Sequence, residues 1–416
     1  MIDSMKVLSM ILAGFVVGYA VSDIRSFDSL LSSTAEFGSP ATIVNGLTVL
    51  ALTACLVSVA LARSSARGVL VVAIGAVLVV VFRTVGMVTG MFGDWAGAVG
   101  AGTLLGASVV LAGRHRGAQA SLAVAAIGAG LLGAALDALL QADDGPVFVW
   151  DVVGAEDAVV PERAIVMVIA ALGAALSLFL AHRDVALQSH ETRRTLLVGL
   201  PLPIAAGVVS WFAGGHDSGD AVWLGALAGM TAIALVASFL LPGRNGRLLL
   251  VLFASSSAGI GSFGFAAGDS AQLALSVGLL IVGAGLGYRW PQLYVGLSGL
   301  LVIAVAGVIE GYAEIQTGSE FVLPFVVAYA LVSVLSTSPG SLAVALPALF
   351  TMTLPVTVYA ASYQPGLSLS SDNAVATRTS EPDHLVLSVA GLVVVAVVTV
   401  ACAVLMRRPA QNPAAR

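Results

Sequence analysis

Charge is what this sequence has least of. Only 10% of its 416 residues are Asp, Glu, Lys or Arg, against the roughly 25% that a soluble globular domain carries. With 58% hydrophobic residues, the chain has too little polar surface to fold in water, so the lipid bilayer is its expected solvent. Cysteine is also scarce. Cys55 and Cys402 both lie inside apolar runs, which excludes a disulfide or thiolate–metal framework and marks them as small core residues. No nucleotide loop, zinc spacing or nucleophile elbow occurs. No stretch is long and polar enough to form a soluble domain. These lacks argue against an enzyme, a nucleic-acid partner, a cofactor or a metal centre.

What the sequence has instead is apolar length. Runs able to span a hydrocarbon core of about 30 Å recur near residues 5–22, 42–62, 68–91, 95–113, 118–141, 163–181, 195–214, 220–241, 247–267, 270–287, 291–313, 321–337, 341–362 and 384–406. Each is expected to be helical, because backbone amides facing lipid have no other partner. The fold class is therefore all-α: a polytopic membrane protein of about fourteen transmembrane helices. The Gly/Asp turns at 92–94 and 268–269 also admit a count of twelve or thirteen. The first run, "MKVLSMILAGFVVGYAVSDIR", reads as a first membrane helix because many equally apolar runs follow it. "GAGLG" at 283–287 sits inside a span with no strand before it. It reads as close helix packing, not a phosphate cradle.

The basic residues test the count. With a cytoplasmic N-terminus, fourteen spans leave all but four of the 18 lysines and arginines on the cytoplasmic side. Arg25, Arg163 and Arg378 fall outside, and Arg83 falls within the membrane. This asymmetry follows the positive-inside rule and predicts that both termini are cytoplasmic. Two outer loops are long, at 142–162 and 363–383. The longest cytoplasmic loop is "HRDVALQSHETRR" at 182–194.

A resemblance follows from these features. A cytoplasmic "RHRG" at 114–117 precedes an Ala/Gly-rich fifth helix. A first helix ends in the acid Asp23, with a loop of about twenty residues after it, then a second helix and the basic turn "LARSSARG" at 61–68. This layout resembles the major facilitator superfamily, and the fourteen-helix total is similar to its drug:proton antiporter branch. The signature motifs are eroded. "LARSSARG" keeps Leu61, Ala62 and Arg67 but has Arg63 where the family has Asp, and "GAVGAGTLLGASVV" in the fourth helix has no arginine. The chain is thus identified as a divergent member. The resemblance implies two pseudo-symmetric bundles: an N-terminal six-helix bundle over 1–194, two linking helices over 195–241, and a C-terminal six-helix bundle with a cytoplasmic tail over 242–416.

Ionisable residues inside a span are functional candidates by default. Arg83 lies fifteen residues past Gly68, about 22 Å along a helix at 1.5 Å per residue. It reads either as an anion contact in a cavity, or as a snorkelling arginine or one paired internally to lock helices. Asp137 near the end of the fifth helix and Glu310 near the end of the eleventh are candidate proton-coupling acids. Asp23 matches a position where the family often has an acid. Asn45, Ser255, Ser256, Ser257, Thr351 and Thr353 form a polar stripe that faces a pathway or bonds back to its own backbone. Pro201, Pro203 and Pro355 are expected to kink their helices.

The expected function is secondary transport across the plasma (inner) membrane by a multi-pass protein. A small, amphipathic solute would be moved, coupled to a proton gradient. The expected partners are the lipid bilayer, the solute and protons. Alternatives are a lipid-linked oligosaccharide flippase, a membrane glycosyltransferase, and a non-transporting subunit of an envelope or secretion complex.

Overall fold

The computed structural model of the chain describes residues 2–34, 46–87, 90–141, 161–181, 197–214, 220–241, 244–259, 270–313, 318–335, 339–352 and 384–407. Among the described residues there are fourteen α-helices. They are α1 (Ile2–Thr34), α2 (Gly46–Leu61), α3 (Ala66–Thr84), α4 (Gly90–Ala112), α5 (Arg116–Gln141), α6 (Pro161–Ala181) and α7 (Pro201–Gly214) in the first half. The second half has α8 (Asp220–Leu240), α9 (Arg244–Ala258), α10 (Ser270–Arg289), α11 (Leu293–Ala313), α12 (Ser319–Val334), α13 (Pro339–Met352) and α14 (His384–Arg407). One helix answers each expected run. Seven are long and apolar enough to cross a membrane, and four shorter apolar helices accompany them. The chain is a polytopic all-α membrane protein.

Three boundaries differ from expectation. The first helix does not stop at Asp23 but continues to Thr34, because neither Gly nor Pro interrupts residues 19–37. α4 begins at Gly90, which places Asp94 inside a helix and not in a turn. Pro201 is the first residue of α7, where its missing N–H is no loss. The chain therefore restarts a helix there after a turn at Leu200, where a kink was expected. Asn45, Thr353 and Pro355 lie outside the described residues.

Glycine spacing decides which helices pair. In lipid there is no hydrophobic drive between helices, so backbones must approach closely for dispersion contacts to hold them. "GFVVG" sets Gly14 and Gly18 of α1 against α5. A Cβ at Gly14 would meet the Leu122 carbonyl oxygen at 2.5 Å, and one at Gly18 would overlap that of Ala126. "GTLLG" does the same for α4 on α2, where a Cβ at Gly106 would meet the Ala54 oxygen at 2.6 Å. "GAGLG" sets α10 on α12, with Gly287 facing the Tyr329 oxygen at 2.6 Å. The glycine run reads as packing, as its sequence context implied.

The pairing repeats with an offset of eight helices. α1 packs on α5 and α6, α2 on α4, and α3 on α4 and α6. Correspondingly, α9 packs on α13 and α14, α10 on α12, and α11 on α12 and α14. Between the two sets, α13 meets α2, α4 and α5, and α5 also meets α10 and α12. α7 and α8 stand outside the repeat. The cross-helix bonds described below all join helix ends that an alternating fourteen-span path places on the same side.

Candidate functional site

α5 is a helix on which contact between the two bundles and polar chemistry come together. Its inner end is built by the turn at 113–115. Gly113 has φ +54°, in the left-handed region that favours glycine. His115 Nδ1 accepts a hydrogen bond from the Ala118 backbone N–H at 3.1 Å, capping the helix. The Gln119 side-chain amide donates to the Gly113 carbonyl and closes the turn. Arg116 therefore leaves the turn in a fixed direction.

That direction crosses the seam. Arg116 Nη2 donates to the Val332 carbonyl in the last turn of α12 at 3.3 Å. Its guanidinium carbon lies 5.1 Å from the centre of the Tyr288 ring on α10. A cation at a helix N-terminus is unfavourable for its own helix, whereas one at a C-terminus is favourable. The charge of Arg116 thus serves α12, whose last carbonyls lack intrahelical N–H partners. Within the second bundle, Arg247 of α9 donates in the same way to the Leu405 carbonyl of α14 at 3.3 Å.

Midway along α5, a Cβ at Gly128 would meet Leu280 Cδ2 of α10 at 2.8 Å. Ser276 lies one turn from Leu280 on the same face of α10. It is fully buried, and its hydroxyl has no hydrogen-bond partner among the described residues.

At the outer end, the Tyr19 hydroxyl of α1 donates to Asp137 Oδ1 of α5. Tyr19 is 1% exposed, and Phe15 stacks on its ring with centroids 5.7 Å apart. Asp137 comes nine residues after Gly128, about half a turn around the helix. α5 therefore shows one face to α10 and the opposite face to α1.

Arg83 and Glu310 are placed differently. Arg83 Nε donates to Asp94 Oδ1 at 3.0 Å, with Nη2 on the same oxygen, so the guanidinium forms an ion pair between α3 and α4. Ser319 Oγ of α12 donates to Glu310 Oε1 of α11 at 3.2 Å. The α3–α4 and α11–α12 hairpins are equivalent in the repeat, and each is closed near its tip by a polar clasp. Arg83, Asp137 and Glu310 are thus each bonded across a different helix pair. Asp23 lies within α1, and Asn45 is outside the described residues.

The polar stripe turns inward on its own helices. Ser255 donates to the Val251 carbonyl, Ser256 and Ser257 to that of Phe253, and Thr351 to those of Pro347 and Ala348. Sequence reasoning missed Tyr19, Asp94, Ser276 and the reach of Arg116. Only Tyr19 carried a signal: a tyrosine within an apolar run needs a partner for its hydroxyl.

Among the described residues the fold is thus two sets of helices related by an eight-helix offset, with two helices between them, and a comparison with solved structures finds transporters of similar fold. The human organic anion transporter MFSD10 (TETRAN) is similar over 95% of this chain and 98% of its own, with a TM-score of 0.50 and 16% identity. An auto-inhibited POT family peptide transporter is similar over 99% and 98%, with a TM-score of 0.48 and 16% identity. The xylose transporter XylE from E. coli, in a partially occluded inward-open conformation, is similar over 94% and 96%, at 0.43 and 15%. No protein-family model and no curated protein matches the chain. At these identities the likeness is one of fold.

Proposed function

We propose that the chain is a secondary active transporter of the plasma (inner) membrane that moves a small amphipathic solute, with Asp137 as its proton-coupling acid. The observation that carries this reading is the triple engagement of α5. One helix bears the Tyr19–Asp137 bond at one end, the Gly128–Leu280 contact in the middle and the Arg116 bridge at the other. Protonating Asp137 changes how its carboxyl holds the Tyr19 hydroxyl. The α1–α5 packing then changes, and α5 carries that change to its contacts with the other bundle. Solute binding on the α5–α10 face would act on the same helix from the other side. The buried Ser276 hydroxyl is the proposed solute contact there, because a buried polar group is normally paired.

In this reading Arg83 and Glu310 close the outer hairpins and do not touch solute. The proposed division is 1–194, 195–241 and 242–416, supported by the offset in helix pairing, with both termini cytoplasmic. MFSD10 is described as an organic anion transporter, so amphipathic organic anions are the first solutes to try.

The test uses proteoliposomes containing a trapped pH dye and a panel of amphipathic organic anions and cations. Wild-type protein should accumulate at least one solute against its gradient when a pH difference is imposed. Asp137→Asn should lose that accumulation yet retain solute-for-solute exchange, which needs no net proton movement. Accumulation that survives in Asp137→Asn would contradict the assignment. For topology, a cysteine at Ser370 should react with an impermeant reagent in intact cells and one at Ser189 should not.

A further inference from the structure

The two linking helices are attached unequally. α8 packs on α9 and α14, both in the second bundle. Its connection to α9 is tight: a Cβ at Gly246 would overlap the Ser238 carbonyl oxygen. α7 packs on α8 but also on α2 and α13, one helix from each bundle.

The residues of α7 and the turn before it show how it is seated. Val198, Leu202 and Ala206 recur every fourth position and are buried, while Leu197, Ile204 and Val208 on the other side are exposed. One stripe therefore lies in the groove and the other faces lipid. Gly199 is the crossing point. A Cβ there would overlap the Cys55 sulfur of α2 and come within 3.1 Å of Val344 Cγ2 of α13. A free side chain here would wedge the two bundles apart; only one joined to the Cys55 sulfur could share the room. Cys55 belongs to the half of α2 that leads into the α2–α3 turn. Because α2 and α4 run parallel, that is the end at which Arg116 also bridges the bundles.

We infer that α7 is a strap laid across the inner end of the α2–α13 seam, moored to the second bundle through α8, along which α2 slides when the bundles rock. This rests on the transporter reading, since a protein with fixed bundles has no use for a sliding strap. The strap spans one side of the inner seam and Arg116 the other. α7 stays with α13 through the apolar stripe, and Gly199 gives α2 a smooth track with no side chain to climb over.

Distances between spin labels test this without any solute. On a Cys55→Ser, Cys402→Ser background, one protein carries Leu197→Cys, in the short helical stretch that leads into α7, with Leu56→Cys, reporting the start of the strap against α2. A second carries Leu197→Cys with Val400→Cys, reporting α7 against α14. All three labelled positions are at least half exposed, so labels there leave the packing intact. In lipid nanodiscs the α7–α2 pair should show two distance populations, the minor one at roughly a tenth or more of the signal. The α7–α14 pair should show one. A single population in both pairs, or two in the α7–α14 pair, overturns the strap. In a Cys402→Ser background, Gly199→Cys should also form a disulfide with Cys55 when oxidised with diamide. Failure to do so in folded protein overturns the placement. Both outcomes are read in the absence of transport, so loss of the strap leaves the transporter reading standing. Failure to find a transported solute leaves the distances interpretable.

Discussion

α5 and α13 occupy equivalent places in the two bundles, yet they are built in opposite ways. α5 sends polar groups outward at both ends, Arg116 to α12 and Asp137 to α1. Among its described side chains, α13 keeps its polar chemistry to itself: Thr351 bonds back to carbonyls of its own helix, and Leu342 to Leu346 are buried without a break. Their packing partners follow suit. α1 meets α5 through glycines and a buried tyrosine, whereas the three consecutive serines of α9 satisfy themselves on their own backbone. The same architecture thus holds a bonded seam in one half and a self-satisfied, apolar one in the other. In the proposed mechanism, titration of Asp137 acts on the α1–α5 seam, and no such carboxylate bond joins α9 to α13 among the described residues.

The comparison breaks most completely at Gly18. Gly18→Leu must push α1 off the Ala126 carbonyl. It should lower stability by about 3 kcal/mol, visible as loss of monodisperse protein after detergent extraction. Next comes Arg116→Ala, which removes a charge-assisted bond and a cation–π contact. About 2 kcal/mol should be lost from the closed inner seam, read as faster alkylation of Cys55 in a Cys402→Ser background. Arg116→Lys should fall between, since an ammonium keeps the charge but not the planar face. Tyr19→Phe leaves the ring and deletes only the hydroxyl, for a loss of about 1 kcal/mol. Driven accumulation should slow roughly fivefold while the protein extracts normally. The smallest effect belongs to the other seam. Thr351→Val should change stability by less than about 0.5 kcal/mol and leave accumulation unaltered. A Thr351 effect as large as that of Tyr19 would erase the contrast between the two helices.

Much of the fold was legible because lipid leaves the chain few choices. Each apolar run became one helix, and "GAGLG" marked where two backbones touch, a role that the same spacing in "GFVVG" and "GTLLG" also plays in the structure. The sites were less legible, for a physical reason. Asp94 looked like a turn residue because acids normally end apolar runs, yet it lies within α4 and pairs with Arg83 across the α3–α4 hairpin. Tyr19 and Asp137 are 118 positions apart, and nothing local to either announces the other. Ser255 to Ser257 and Thr351 were open to a pathway reading. Local back-bonding, which needs no neighbour at all, accounts for them.

The central claim is that Asp137 is the acid that takes up and releases the proton. Infrared difference spectroscopy of the protein in lipid, recorded as pH is lowered, measures this without knowledge of the solute. The account predicts a protonated-carboxyl band that grows as the pH falls, is missing in Asp137→Asn, shifts in Tyr19→Phe as its hydrogen bond is lost, and persists in Glu310→Gln. A band untouched by Asp137→Asn, or one that disappears with Glu310→Gln, would contradict it.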